Sequence, residues 1–123
     1  MHILVVDDTE DIRHIFSVAF TAAGHQVKTA ATGNEALELV GHYQFDAVLL
    51  DVEMPTMSGW KVLEAIRQVP GSGLLPVILF TAHGNVTSDS YAKMLGAYAL
   101  LHKPVAPTEI LNIINRAMEE RQS

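Results

Sequence analysis

Five polar residues in this chain fall where apolar runs end. Asp7 and Asp8 follow His2–Val6, Asp51 follows Phe45–Leu50, and Thr81 follows Pro76–Phe80. Lys103 lies just beyond Tyr98–Leu101 and precedes Pro104. Two adjacent carboxylates repel one another unless a cation sits near them. A hydroxyl and an ammonium converging on a third carboxylate add donors for the oxygens of an anion. Such a set suits metal-assisted phosphoryl transfer, which demands mainly positioning and electrostatics. Mg²⁺ is the expected ion, because it takes oxygen ligands and keeps several waters. Each residue alone has an ordinary explanation: Asp7-Asp8 and Thr81 as helix caps, Asp51 as a turn aspartate, Lys103 as a solvated lysine. The joint arrangement, four strand ends in order, favours one site.

The elements that must position these residues are legible in the hydrophobic pattern. Short apolar runs at His2–Val6, around Val27 and Thr29, at Phe45–Leu50, Pro76–Phe80 and Tyr98–Leu101 predict five strands. Between them, Ile12, Ile15, Phe16, Ala19 and Phe20 recur at helical spacing, after Asp8 or Thr9 as N-cap and before Gly24 as C-terminal stop. Thr32 and Glu35 form a capping box for a helix through Val40. Gly59–Val69 reads as a third helix and Gly84–Leu95 as a polar fourth one. A last helix opens at Pro107, marked by Ile110, Leu111, Ile113, Ile114, Ala117 and Met118. Alternating strands and helices with short connections predict an α/β fold, a parallel sheet covered on both faces. In open sheets of this class ligands bind beyond the carboxyl ends of the strands.

Composition agrees. An apolar fraction of 49% suits a doubly covered sheet, and a net charge of −6 argues against sequence-blind binding to nucleic acid or an anionic membrane. With no cysteine, thiolate catalysis and Cys-ligated metal are excluded. None of the six histidines has zinc spacing with a carboxylate. No apolar stretch reaches membrane-span length, and no basic segment precedes the first strand. The expectation is a cytoplasmic, single-domain protein over residues 1–123.

Leu4-Val5-Val6-Asp7-Asp8, Asp51-Val52-Glu53-Met54-Pro55-Thr56-Met57-Ser58-Gly59, Thr81-Ala82 and Lys103-Pro104 together resemble the response-regulator receiver domain of two-component signalling. The resemblance implies a doubly wound, flavodoxin-like sheet of order 2-1-3-4-5. It implies that Asp51 accepts phosphate from the phosphohistidine of a sensor histidine kinase or phosphotransfer protein. It implies that Asp8, Asp51 and the backbone carbonyl of Glu53 hold Mg²⁺, with Asp7 acting largely through water. Lys103 and Thr81, with Ala82 beside it, are implied to take phosphoryl oxygens. Thr81 is implied to move inward and alter a face read by a downstream protein. The protein then catalyses only its own phosphorylation and dephosphorylation.

Three positions depart from the family pattern. Leu100 stands where Tyr or Phe is usual, so the aromatic swing that accompanies the threonine is in doubt; Tyr98, two residues earlier, is the candidate stand-in on the same face. Val105 stands where Phe is common after Lys103-Pro104. Glu53 and His83 occupy positions that flank the path of attacking water and tune phosphate lifetime; a Glu53–His83 pair predicts slow self-dephosphorylation. Trp60, at the start of the third helix, is expected near the site. The ending soon after the last helix resembles single-domain regulators, and a receiver excised from a hybrid kinase or longer regulator looks identical. An aspartyl-phosphate phosphatase is disfavoured, because a second Asp often stands where this chain has Glu53. A degenerate receiver used as a docking surface is disfavoured because all five site residues are present.

Overall fold

Five strands form one parallel sheet in the order β2-β1-β3-β4-β5. The computed structural model describes residues 1–82 and 91–122, with side chains through Glu120. The strands are β1 (His2–Val6), β2 (Gln26–Ala30), β3 (Ala47–Asp51), β4 (Val77–Thr81) and β5 (Ala99–His102). The helices are α1 (Glu10–Ala22), α2 (Gly33–His42), α3 (Gly59–Gln68) and the last helix (Pro107–Gln122). Residues 91–94 are also helical, and the remainder of the predicted fourth helix lies outside the described residues.

The alternation of side chains along each strand divides the core in two. Leu4, Val6, Val48, Leu50, Val77 and Leu79 pack with Ala36 and Val40 of α2 and Val62, Leu63 and Ile66 of α3. Ile3, Val5, Ala47, Leu49, Ile78 and Phe80 pack with Phe16 and Phe20 of α1 and Ile110 and Ile114 of the last helix. The central strands β1, β3 and β4 are therefore apolar on both faces, as a doubly covered parallel sheet requires. The edge strands β2 and β5 are only partly buried.

Local signals set the helix starts. The Thr32 hydroxyl accepts from the Glu35 amide at 3.1 Å, and the Glu35 carboxylate accepts from the Ala31 amide at 3.0 Å. This is the predicted capping box, with its return bond one residue earlier than the cap itself. Ser58 caps α3, accepting from the Lys61 amide. Thr9 occupies the N-cap position of α1, but its side chain makes no cap bond. Asp7 does related work instead, its Oδ1 accepting from the Thr9 amide at 2.8 Å. Gly24 takes φ +94° just beyond α1, the left-handed conformation of a helix stop.

Two face assignments fail. Ile15 is 55% exposed, as is Val18; the buried stripe of α1 is Phe16 and Phe20, with Ile12 and Ala19 half-buried beside it. Tyr98 does not share a face with Leu100. Leu100 packs on the α2–α3 side and Tyr98 on the α1–last-helix side. The reason is that Tyr98 lies in the bend before β5, which starts at Ala99, so strand alternation does not extend to it. Its phenol is pushed up by burial and by a hydrogen bond with Glu120 of the last helix.

Candidate functional site

The carboxyl ends of β1, β3, β4 and β5 bring the expected residues together. Asp7 is fully buried one residue past β1, Asp51 is 2% exposed as the last residue of β3, and Thr81 is 3% exposed as the last of β4. Asp8 is exposed at the rim. Backbone bonds lock these tips in register. The Asp7 amide donates to the Ala30 carbonyl, the Val52 amide to Phe80, and the Lys103 amide to Thr81 at 2.8 Å. The Lys103–Pro104 peptide is cis.

Gly59 explains how the loop after Asp51 can turn so sharply into α3. A Cβ there would sit 2.4 Å from the Asp51 carbonyl oxygen and 2.7 Å from the Val52 Cα. Only glycine lets the first turn of α3 lie against the end of β3, where the Gly59 amide donates to the Val52 carbonyl at 2.9 Å. Gly33 plays a similar part for α2, whose added Cβ would strike Val62 and Met57. Met54 of this loop is buried in the core on the α2–α3 side.

Lys103 is the cation of the cluster. Its ammonium lies 3.3 Å from Asp51 Oδ1 and 3.6 Å from Asp7 Oδ2. It also stands over the Phe80 ring at 4.6 Å from the centroid, an apolar wall that fixes the side chain without competing for its charge. One ammonium does not balance two buried acids. Burial, and then the charge of Asp7, push the Asp51 carboxyl up to about 7 against the pull of Lys103. Burial likewise raises Asp7, although the Thr9 amide and Lys103 hold it back. Arg13 of α1 donates to the Asp7 backbone carbonyl at 2.8 Å, an anchor that no sequence pattern announced.

Asp7, Asp8 and Asp51 each offer a carboxylate oxygen within 4.8 Å of the others. Asp7 Oδ2 is buried and accepts no hydrogen bond among the described residues. A buried carboxylate oxygen that accepts no hydrogen bond, with the Lys103 ammonium only at 3.6 Å and two further acids beside it, fits a small, hard divalent cation, whose ligands are oxygens. The residues present therefore fit Mg²⁺.

Glu53 does something the sequence did not disclose. Its backbone amide donates to Asp51 Oδ1 at 3.2 Å, and its side chain turns toward β4. There the Thr81 hydroxyl donates to Oε1, and the Ala82 amide approaches Oε2 at 3.4 Å. Burial works against this charge, but hydrogen bonds with Thr81, Asp51 and Ala82 together outweigh it and hold the Glu53 carboxyl below its ordinary value. His83, the expected partner of Glu53, lies outside the described residues. Trp60 packs edge-on against Tyr91, ring centroids 4.9 Å apart, on the α2–α3 side of the sheet.

The family model described as the response regulator receiver domain matches residues 3–115. This chain belongs to that family. Its receiver domain is 33% identical over 125 residues to a probable cyclic di-GMP phosphodiesterase of Vibrio cholerae, covering 98% of this chain and 27% of that protein. It is 32% identical over 120 residues to the transcriptional regulatory protein GlrR of Escherichia coli, covering 97% and 26%. Among solved structures, the chemotaxis protein CheY4 of Vibrio cholerae superposes with a TM-score of 0.89 at 33% identity, covering 94% of this chain and 97% of that one. A CheY-like receiver domain protein of Methanospirillum hungatei gives 0.90 at 27% identity, covering 98% and 95%. The receiver domain thus spans about a quarter of the length of those two curated relatives. The two-component signalling class and the sheet order 2-1-3-4-5 hold as expected. No helix among the described residues is long and apolar enough to cross a membrane.

Proposed function

We propose that this receiver domain is a phosphorylation-dependent switch in which Asp51 accepts a phosphoryl group from the phosphohistidine of a sensor kinase or phosphotransfer protein. The observation that carries this reading is the convergence of Lys103, Asp7 and the buried Asp51 at the strand tips. An Asp51 oxygen attacks phosphorus while the phosphorus–nitrogen bond breaks. The electron pair of that bond goes to the donor imidazole, which takes a proton from solvent. Asp51 must be ionised to attack, and Lys103 favours that state. Asp7, Asp8, Asp51 and the Glu53 carbonyl are the groups that would hold Mg²⁺. Bound there, Mg²⁺ supplies charge neutralisation to the carboxylates and to phosphoryl oxygens. Lys103 and the Thr81–Ala82 corner take the other oxygens. The resulting acyl phosphate is hydrolysed in place, so catalysis is confined to the protein itself. The altered surface is read by a downstream protein. With Leu100 in place of an aromatic and Tyr98 on the other side of the sheet, the readout relies on Thr81 without an accompanying ring at either position.

The test is the position of the acyl phosphate. After treatment with acetyl phosphate and Mg²⁺, borohydride reduces an aspartyl phosphate to homoserine. Peptide mass spectrometry is expected to find homoserine at position 51. Homoserine at position 7 or 8 instead would refute the assignment.

A further inference from the structure

The corner proposed to receive phosphoryl oxygen already holds an anion that belongs to the chain. Thr81 and Ala82 present a hydroxyl and an amide in the same direction, and both point at the two oxygens of one carboxylate, Glu53. That carboxylate is half-buried and is tied to the acceptor through its own residue, since the Glu53 amide donates to Asp51. A carboxylate and the edge of a phosphoryl group are both planar pairs of acceptor oxygens, and both attract the same donors. Two groups of like charge cannot share one seat. We propose that the Glu53 side chain is a built-in competitor for the phosphoryl group, occupying the Thr81–Ala82 corner until phosphorylation displaces it.

The proposal rests on the phosphoryl-transfer reading above and deepens it. Glu53 then acts before phosphorylation, not only on the lifetime of the product. In the resting protein the switch hydroxyl is engaged by Glu53. On phosphorylation the carboxylate gives up its seat and turns to solvent, so the loop after Asp51 changes its outward charge when Thr81 changes partner. The threshold for phosphorylation is then raised by a group of the chain itself, and small anions that merely visit the site are kept out.

The chemistry separates a seated competitor from a nearby charge. Glu53→Asp keeps the charge and shortens the arm by about 1.5 Å, one carbon–carbon bond. Glu53→Ala removes both charge and reach. The probe is beryllofluoride, a phosphoryl mimic, titrated with saturating Mg²⁺ and followed by calorimetry. The Ala82 amide resonance of each free protein is followed in parallel and verifies that the variant is folded. Losing a charge-assisted competitor is expected to tighten beryllofluoride binding about tenfold in both variants, and the Ala82 amide should shift upfield in both. Tightening in Glu53→Ala with wild-type affinity in Glu53→Asp would overturn the proposal in favour of through-space repulsion. Equal affinity in all three proteins would overturn it outright. Beryllofluoride that binds none of them would bring down the phosphoryl-transfer reading itself, and this proposal with it.

Discussion

Asp51 combines the properties that make a carboxylate reactive and costly at once. It is almost fully buried, faces Asp7, and has one ammonium to share with it. Its carboxyl is lifted from an ordinary value of 3.8 to about 7. The sign of the consequence follows by linkage. Between those two values the folded protein keeps a proton that the unfolded chain has released. The associated stability is fully present below 3.8 and is lost as pH rises through about 7. Without a divalent cation, urea unfolding should therefore show stability falling from pH 5 to pH 8. Asp51→Asn removes the charge but keeps the shape, and should raise stability at pH 8 by on the order of 1–3 kcal/mol. An asparagine variant less stable than wild type at pH 8 would mean that the buried charge is better compensated than these contacts show. The clustered acids, Thr81 and Lys103 were visible in the sequence because each lies at the end of an apolar run. The Glu53 side-chain contacts were not, because a glutamate two residues past a strand carries no signal for where its carboxylate turns.

The elements hold the site through backbone approach more than through side chains. Gly59 is the sharpest case, since β3 and α3 meet with no room for a Cβ. Helix propensity alone favours alanine over glycine by about 1 kcal/mol, so an exposed helix start would gain from the change. Here the obstacle is the Asp51 carbonyl and the Val52 Cα, backbone atoms that cannot swing aside. Overpacking of this kind costs about 1–3 kcal/mol, and the strain falls on Asp51, the residue proposed to attack phosphorus. Gly59→Ala should lower the thermal midpoint and slow phosphorylation by acetyl phosphate together. Unchanged phosphorylation in a destabilised variant would separate the loop from the acceptor. The strands and helices themselves were legible, because unbroken apolar runs mark β1, β3 and β4 and 3.6-residue patterns mark α3 and the last helix. Ile15 and Tyr98 were misplaced for instructive reasons. A helix stripe is narrower than its list of apolar residues, and a strand's alternation ends where the strand does.

At the scale of the whole molecule, a chain of net charge −6 gathers its least tolerable acids at one end of the sheet. A divalent cation should relieve that repulsion, and its binding competes with protons for Asp7 and Asp51. The rise in melting temperature on adding Mg²⁺ should therefore be larger at pH 8 than at pH 6, and a rise that is equal at both would show that the ion does not engage these carboxylates. A parallel sheet covered on both faces was readable in advance from the alternation of strands and helices and the right-handed crossovers that join them. The order 2-1-3-4-5 came through the family resemblance, since the hydrophobic pattern alone does not rank the strands. The central claim is that Asp51 accepts a phosphoryl group with the help of a divalent cation. The most direct test is intact-protein mass after acetyl phosphate, with and without Mg²⁺, for wild type and Asp51→Ala. A gain of one phosphoryl group that needs Mg²⁺ and vanishes in the variant is the predicted result. No gain in wild type where another receiver domain is modified, or a gain that survives in Asp51→Ala, would contradict the account.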